Sequence, residues 1–214
     1  MMCALDEIRR RQQMRRVVLT LTAALVIAGC ATDSVSRKSA RIEIQEEIGF
    51  TITEEARISG GVRMDYENAL DLLERGQHEQ GIEMLQRVAE EAPELSAPRI
   101  DLGIAYHRAG DLESAEANLQ KALELNPDHP IVHNELGIVY RKTGRFAEAR
   151  DSYEKALAIY PGFHFARRNL AILCDLYLAD LRCALEHYEA YIETVPGDDK
   201  AIIWIADIRN RVGQ

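Results

Sequence analysis

Apolar and small residues along this chain recur in one pattern at a spacing of 34 residues. Leu102-Gly103-Ile104-Ala105-Tyr106 returns as Leu136-Gly137-Ile138-Val139-Tyr140. Gly110 returns as Gly144, Ala115 as Ala149, Leu119 as Tyr153, Lys121-Ala122-Leu123 as Lys155-Ala156-Leu157, and Pro127 as Pro161. A fixed period of this length means stacked copies of one supersecondary unit. Four units run from Val62: residues 62–95, 96–129, 130–163 and 164–198. The first is degenerate, with Asn68-Ala69 where Leu-Gly stands later, but it keeps Gly76, Leu85 and Pro93. The fourth begins in register at Leu170-Ala171 and then carries Tyr177-Leu178-Ala179-Asp180 where a turn glycine is expected. One inserted residue restores the pattern at Ala184, Tyr188 and Pro196.

The residue types give the units a physical logic. Gly103, Gly137, Ala115 and Ala149 let two antiparallel helices approach closely, and Tyr106, Tyr140 and Tyr153 fill gaps between neighbouring units. Gly110 and Gly144 close the first helix of a unit in a left-handed cap, and Pro127 and Pro161 stop the second. No unit can bury its apolar face alone, so stability comes from stacking. Residues 199–214, with Ile202, Ile203, Trp204, Ile205 and Ile208 followed by Arg209 and Arg211, form one more amphipathic helix.

The order L-G-x-x-Y, then a small residue, a bulky one and Pro, resembles the tetratricopeptide repeat (TPR) over residues 62–214. The resemblance implies an all-α fold, a right-handed solenoid of helix–turn–helix repeats. Residues 199–214 would close it as a C-terminal capping helix, with Trp204 packed on unit four. It also implies a protein-binding scaffold rather than an enzyme, with the first helix of each unit lining a concave groove. Leu70, Ile104, Ile138 and Ile172 fall in one column of that groove, where the family tends to be polar. Around them lie Tyr66, Ile100, His107, Asn134, Arg141, Phe165, Arg168 and Asp175. Two arrangements fit the column. In one it is an exposed apolar stripe that binds a helical or extended segment of a partner, with Arg141 and Arg168 favouring an acidic or C-terminal group. In the other it is covered by residues 41–58 or packs deeper in the fold. The Lys/Asn constellation that some relatives use on C-terminal tails is missing.

The N-terminal 29 residues read as a leader outside the fold. Arg9, Arg10, Arg11, Arg15 and Arg16 precede an uncharged run from Val17 to Gly29. Such a run spans roughly 20 Å as a helix, short of the ~30 Å hydrocarbon core, so it reads as a signal-peptide core rather than a membrane span. It ends in Ile27-Ala28-Gly29-Cys30, which resembles the lipobox of bacterial lipoproteins. That resemblance implies cleavage before Cys30 and acylation of its thiol, and so a membrane anchor through an N-terminal lipid. Ala31 rather than Asp follows, which in that family favours an outer membrane with the protein facing the periplasm. Met1 and Met14 both fit as the start. Residues 30–61 then serve as acylated tether and linker. Within them Arg41-Ile42-Glu43-Ile44 and Phe50-Thr51-Ile52 alternate as strands do, yet Ile44 and Ile48 also share a helix face. Thr53 before Glu54-Glu55 fits a helix N-cap, and Gly60-Gly61 reads as an interruption.

Charge and composition narrow the function. The formal net charge is −9, and the leader holds five Arg against two acids, so the remainder is more acidic still. An acidic surface repels phosphate backbones, which argues against nucleic acid as a partner. The chain has no phosphate loop, H-E-x-x-H, G-x-S-x-G or C-x-x-C, and no cofactor is expected. His129 and His133 are four apart but straddle Pro130 at a helix start, so no metal site is assigned. Besides Cys3 and Cys30, the chain has Cys174 and Cys183, on consecutive antiparallel helices of unit four. In an oxidising compartment they form a disulfide, or else they are two small residues at helix contacts. The expected role is scaffolding in the assembly or stabilisation of an envelope complex, of pilus/secretin or TonB type. An accessory or substrate-binding lipoprotein of cell-wall enzymes is the alternative.

Overall fold

The computed structural model describes residues 41–45, 49–54 and 58–213. Cys30, the leader and most of the tether lie outside them. The chain divides into two compact units, one up to Arg57 and one from Ile58 onward.

In the first unit, β1 (Arg41–Gln45) pairs antiparallel with β2 (Gly49–Thr53). Ile42 lies opposite Ile52, and Ile44 opposite Phe50. The period-two alternation therefore decides this segment, and the helix face through Ile44 does not form. Thr53 ends β2 opposite Arg41.

The second unit is all-α. Its helices are α1 (Gly60–Glu74), α2 (His78–Glu91), α3 (Ser96–Ala109), α4 (Leu112–Leu125), α5 (Pro130–Lys142), α6 (Phe146–Ile159), α7 (His164–Leu176), α8 (Leu181–Thr194) and α9 (Asp199–Val212). They pack as consecutive antiparallel pairs, α1 with α2 through α7 with α8, and α9 lies on α8 without a partner of its own. Gly60 and Gly61 open α1 instead of interrupting the chain. The Ser59 hydroxyl oxygen accepts a hydrogen bond from the Val62 N–H (3.2 Å), and this cap offsets the cost of two glycines in the first turn.

Close approach within each pair explains the small residues. A Cβ added to Gly103 would lie 2.5 Å from Leu119 Cγ, and one on Gly137 2.5 Å from Tyr153 Cε1. Tyr153 is wholly buried, against Gly137 of its own unit and in a core cluster shared with Leu170 and Leu173 of unit four. Tyr106 and Tyr140 also join units, each packing against two separate core clusters. The turn glycines behave as the pattern requires: Gly76, Gly110 and Gly144 have φ of 78°, 88° and 79°.

The fourth turn differs. Ala179 takes its left-handed position at φ 52°, the one non-glycine with positive φ among the described residues. A Cβ there costs about 1–2 kcal/mol. The Cys174–Cys183 disulfide closes across this turn, with Cα atoms 5.9 Å apart. The two cysteines are thus a covalent staple and not separate thiols. Beyond it, Trp204 of α9 packs on Tyr188 of α8 (centroids 5.5 Å), burying Ile205 and Ile208 against unit four. None of the described helices is long and apolar enough to cross a membrane.

Candidate partner-binding face

The first helices of successive units, α3, α5 and α7, touch one another, so they form one continuous layer. This contact changes the expected groove. Ile104 is 9% exposed and belongs to the core between α3 and α5, as do Ile100 and the buried Asn134 beside it. Ile138 and Ile172 are half-buried against the next core cluster, and Leu70 is half-buried on α1. The column is therefore not an exposed apolar stripe. Ile104 and Ile138 pack against core clusters that include residues of the neighbouring first helix, and their burial stabilises the stack.

Polar residues around the column tie the layer together. The Tyr66 hydroxyl donates to Asp101 Oδ2 (2.5 Å), and Asn169 Nδ2 donates to Asn134 Oδ1 (2.9 Å). Arg211 of α9 donates to Asp175 (2.9 Å). Phe165 stacks against His164 (centroids 4.1 Å). Arg168 lies over the Trp204 ring (5.9 Å) with the Asp198 carboxylate close enough to act on it electrostatically. The Arg168 Nε itself is buried without a hydrogen-bond partner.

The Arg141 guanidinium is half-buried, and its partners are phenols: Tyr153 Oη at 3.5 Å and Tyr177 Oη at 3.4 Å, with the Tyr177 ring beneath it at 5.6 Å. Among the described residues Arg141 makes no ion pair. Burial pushes the Tyr153 phenol up to about 12, so it stays neutral beside the cation. His107 lies nearby on α3. Desolvation first, and then Lys142, Arg108 and Arg141, lower its pKa to about 4. Three cations thus act on one imidazole. Its Nε2 is buried without a partner, and its Nδ1 sits 3.9 Å from Glu135. Glu135 also accepts a bond from Asn134 Nδ2 (3.3 Å). Glu135 thus lies beside His107 and Asn134, while the partners of the Arg141 guanidinium among the described residues are phenols.

Beside this cationic spot stand two apolar side chains that sequence reasoning missed. Leu176 is 68% exposed and Tyr177 42% exposed, both at the end of α7. The signal for them was the altered turn of unit four, which leaves Tyr177 free to stack on Phe146 (5.0 Å) and reach Arg141.

The two histidines four apart in the sequence are both buried. His133 Nε2 lies 2.9 Å from the Pro127 carbonyl oxygen, and desolvation together with His133 lowers His129 to about 3. Among the described residues no group of three metal-ligating side chains forms.

Two tetratricopeptide-repeat family models match the chain, over residues 66–117 and 94–162. No curated protein matches it. Solved structures share its fold. A thermophilic TPR protein of Thermus thermophilus is 26% identical, covering 69% of this chain and 80% of that one with a TM-score of 0.59. MamA from Desulfovibrio magneticus RS-1 is 21% identical, covering 73% of this chain and 88% of that one with a TM-score of 0.66. PilF of Pseudomonas aeruginosa is 20% identical, covering 70% of this chain and 68% of that one with a TM-score of 0.64.

Proposed function

We propose, from the premise that the chain is a tetratricopeptide repeat protein, that it is a lipid-anchored scaffold facing the periplasm. Its first-helix face holds an acidic segment of a partner protein in an envelope complex. The observation that carries this reading is Arg141, a half-buried cation whose partners among the described residues are phenols, beside His107, Arg108 and Lys142. A partner carboxylate at Arg141 forms a charge-assisted bond in a partly desolvated setting, where such bonds are strong. Leu176 and Tyr177 supply the adjoining apolar contact. The partner segment therefore combines an Asp, Glu or C-terminal carboxylate with a neighbouring apolar side chain. The apolar column contributes by making the layer rigid, so the cations are held in place before binding.

The Cys174–Cys183 bridge supports an oxidising compartment, since such bonds persist outside the cytosol. The leader and the Ile27-Ala28-Gly29-Cys30 motif support acylation of Cys30, probed by Cys30→Ser. That variant is expected to run as an unprocessed or soluble form. Mass spectrometry of a mature protein that starts elsewhere, or carries an unmodified Cys30, would refute the anchor. Pilus/secretin and TonB-type machines are the two complex classes this reading favours. Arg141→Glu tests the site itself: the fold is retained and partner capture is lost.

A further inference from the structure

We propose that the exposed face of α9 is a self-association surface, on which a second copy of this chain packs its own α9. The small-residue column Ala69, Gly103, Gly137 and Ala171 is buried in every unit, because the second helix of that unit lies over it. The next member of the column is Ala206, and it is exposed. The register is secure, since Ala201, Ile205 and Ile208 of α9 are buried as Ala166, Leu170 and Leu173 of α7 are. An open cleft of ≈ 310 Å³ lies beside Ala206, lined by Glu189 and Ile192 of α8 and Ile202, Ile205, Ala206 and Arg209 of α9.

The residues facing this cleft identify a second copy as its occupant. Asp199, Ile202, Ala206 and Arg209 are all exposed and lie on one face of α9, at helical spacing. Two α9 helices placed antiparallel about a two-fold axis at Trp204 bring each Ile202 onto the partner copy's Ala206. They bring each Asp199 to the partner copy's Arg209. The apolar contact reproduces what the fold already uses, a bulky side chain on a small one, as with Leu119 on Gly103 and Tyr153 on Gly137. The charge contact sets the acidic start of one helix beside the basic end of the other, which also suits the helix dipoles. Each contact occurs twice, as an isologous interface requires. Arg209 already reaches Glu189 (2.5 Å), so the arriving Asp199 extends an existing pair across the cleft. Two short helices bury little area, so the dimer is weak. The surface is separate from the Arg141 face and leaves it open.

Sedimentation of the full chain in a non-ionic detergent, up to about 200 µM, tests this. A reversible dimer is expected, with a dissociation constant near the micromolar range typical of small interfaces. Ile202→Glu, Asp199→Arg and Arg209→Asp each weaken it about tenfold or more with unchanged far-UV circular dichroism, because all three sites are solvent-exposed. Asp199→Arg combined with Arg209→Asp restores the dimer, which a general loss of stability cannot do. A chain that stays monomeric throughout overturns the proposal. So does a dimer indifferent to Ile202→Glu, or a double charge swap no better than its worse single.

Discussion

Gly137→Ala is the most discriminating probe of how these units pack. The new Cβ would lie 2.5 Å, 2.6 Å and 2.9 Å from three ring atoms of Tyr153. That ring is rigid, 0% exposed, and hydrogen-bonded at its hydroxyl by Arg141, so it cannot swing into solvent. Relieving the overlap means moving α6 away from α5 by several tenths of an ångström or more, at an overpacking cost of about 2–3 kcal/mol. Replacing a helical glycine with alanine returns up to about 1 kcal/mol. The net expectation is a loss of about 1–2 kcal/mol, which for a chain of this size lowers Tm by roughly 2–8 °C. Gly61→Ala is the matched control, because its Cβ would meet only Ser59 Oγ at an ordinary 3.7 Å. It is expected to stabilise by a few tenths of a kcal/mol to about 1 kcal/mol. Urea unfolding followed by circular dichroism reads both. A Gly137→Ala midpoint at or above wild type would refute the close-approach account of the repeat column.

The disulfide and the buried histidines make two further predictions. Protein isolated without reductant yields no alkylatable thiol at Cys174 or Cys183, and Cys174→Ser with Cys183→Ser costs about 2–3 kcal/mol from loop closure alone. Free thiols on a non-reducing peptide map would contradict this. His107 and His129 are held neutral in the fold, with pKa values lowered to about 4 and about 3, while the unfolded chain protonates both near 6.5. Their stabilisation is therefore intact above about pH 6.5 and is lost as pH falls from there towards about 4. His129→Gln should flatten part of that fall in denaturant midpoints between pH 7 and pH 4.5, and an unchanged slope would count against the burial of His129.

What the sequence could disclose depended on whether a feature was local or came from neighbours. The repeat period, the turn glycines and the stop prolines are local, and Gly76, Gly110 and Gly144 adopt the positive φ their positions demand. The altered fourth turn was also legible, because Tyr177-Leu178-Ala179-Asp180 breaks the period, and Ala179 sits where glycine is missing. The depth of Leu70, Ile104, Ile138 and Ile172 was not. Periodicity says which face of a helix they share, but burial depends on how closely the adjacent first helix approaches. The same limit hid the difference between Arg141 and Arg168, since only the fold brings Trp204 and Asp198 to one of them. In residues 41–45 and 49–53 two periodicities competed over a short stretch, and antiparallel pairing of the two strands settled it.

The claim that the first-helix face binds an acidic segment is tested most directly by site-specific photo-crosslinking in the native membrane. A crosslinking residue replaces Lys142, which is exposed beside His107 and Arg141, and in a parallel strain it replaces Lys155, which is exposed on α6. The account predicts a partner peptide trapped from position 142 that carries an Asp, Glu or C-terminal carboxylate beside an apolar residue. It predicts no such product from position 155, and loss of the product when Arg141→Glu is added. Trapping from position 155 alone, a basic partner segment at position 142, or a product indifferent to Arg141→Glu would contradict it.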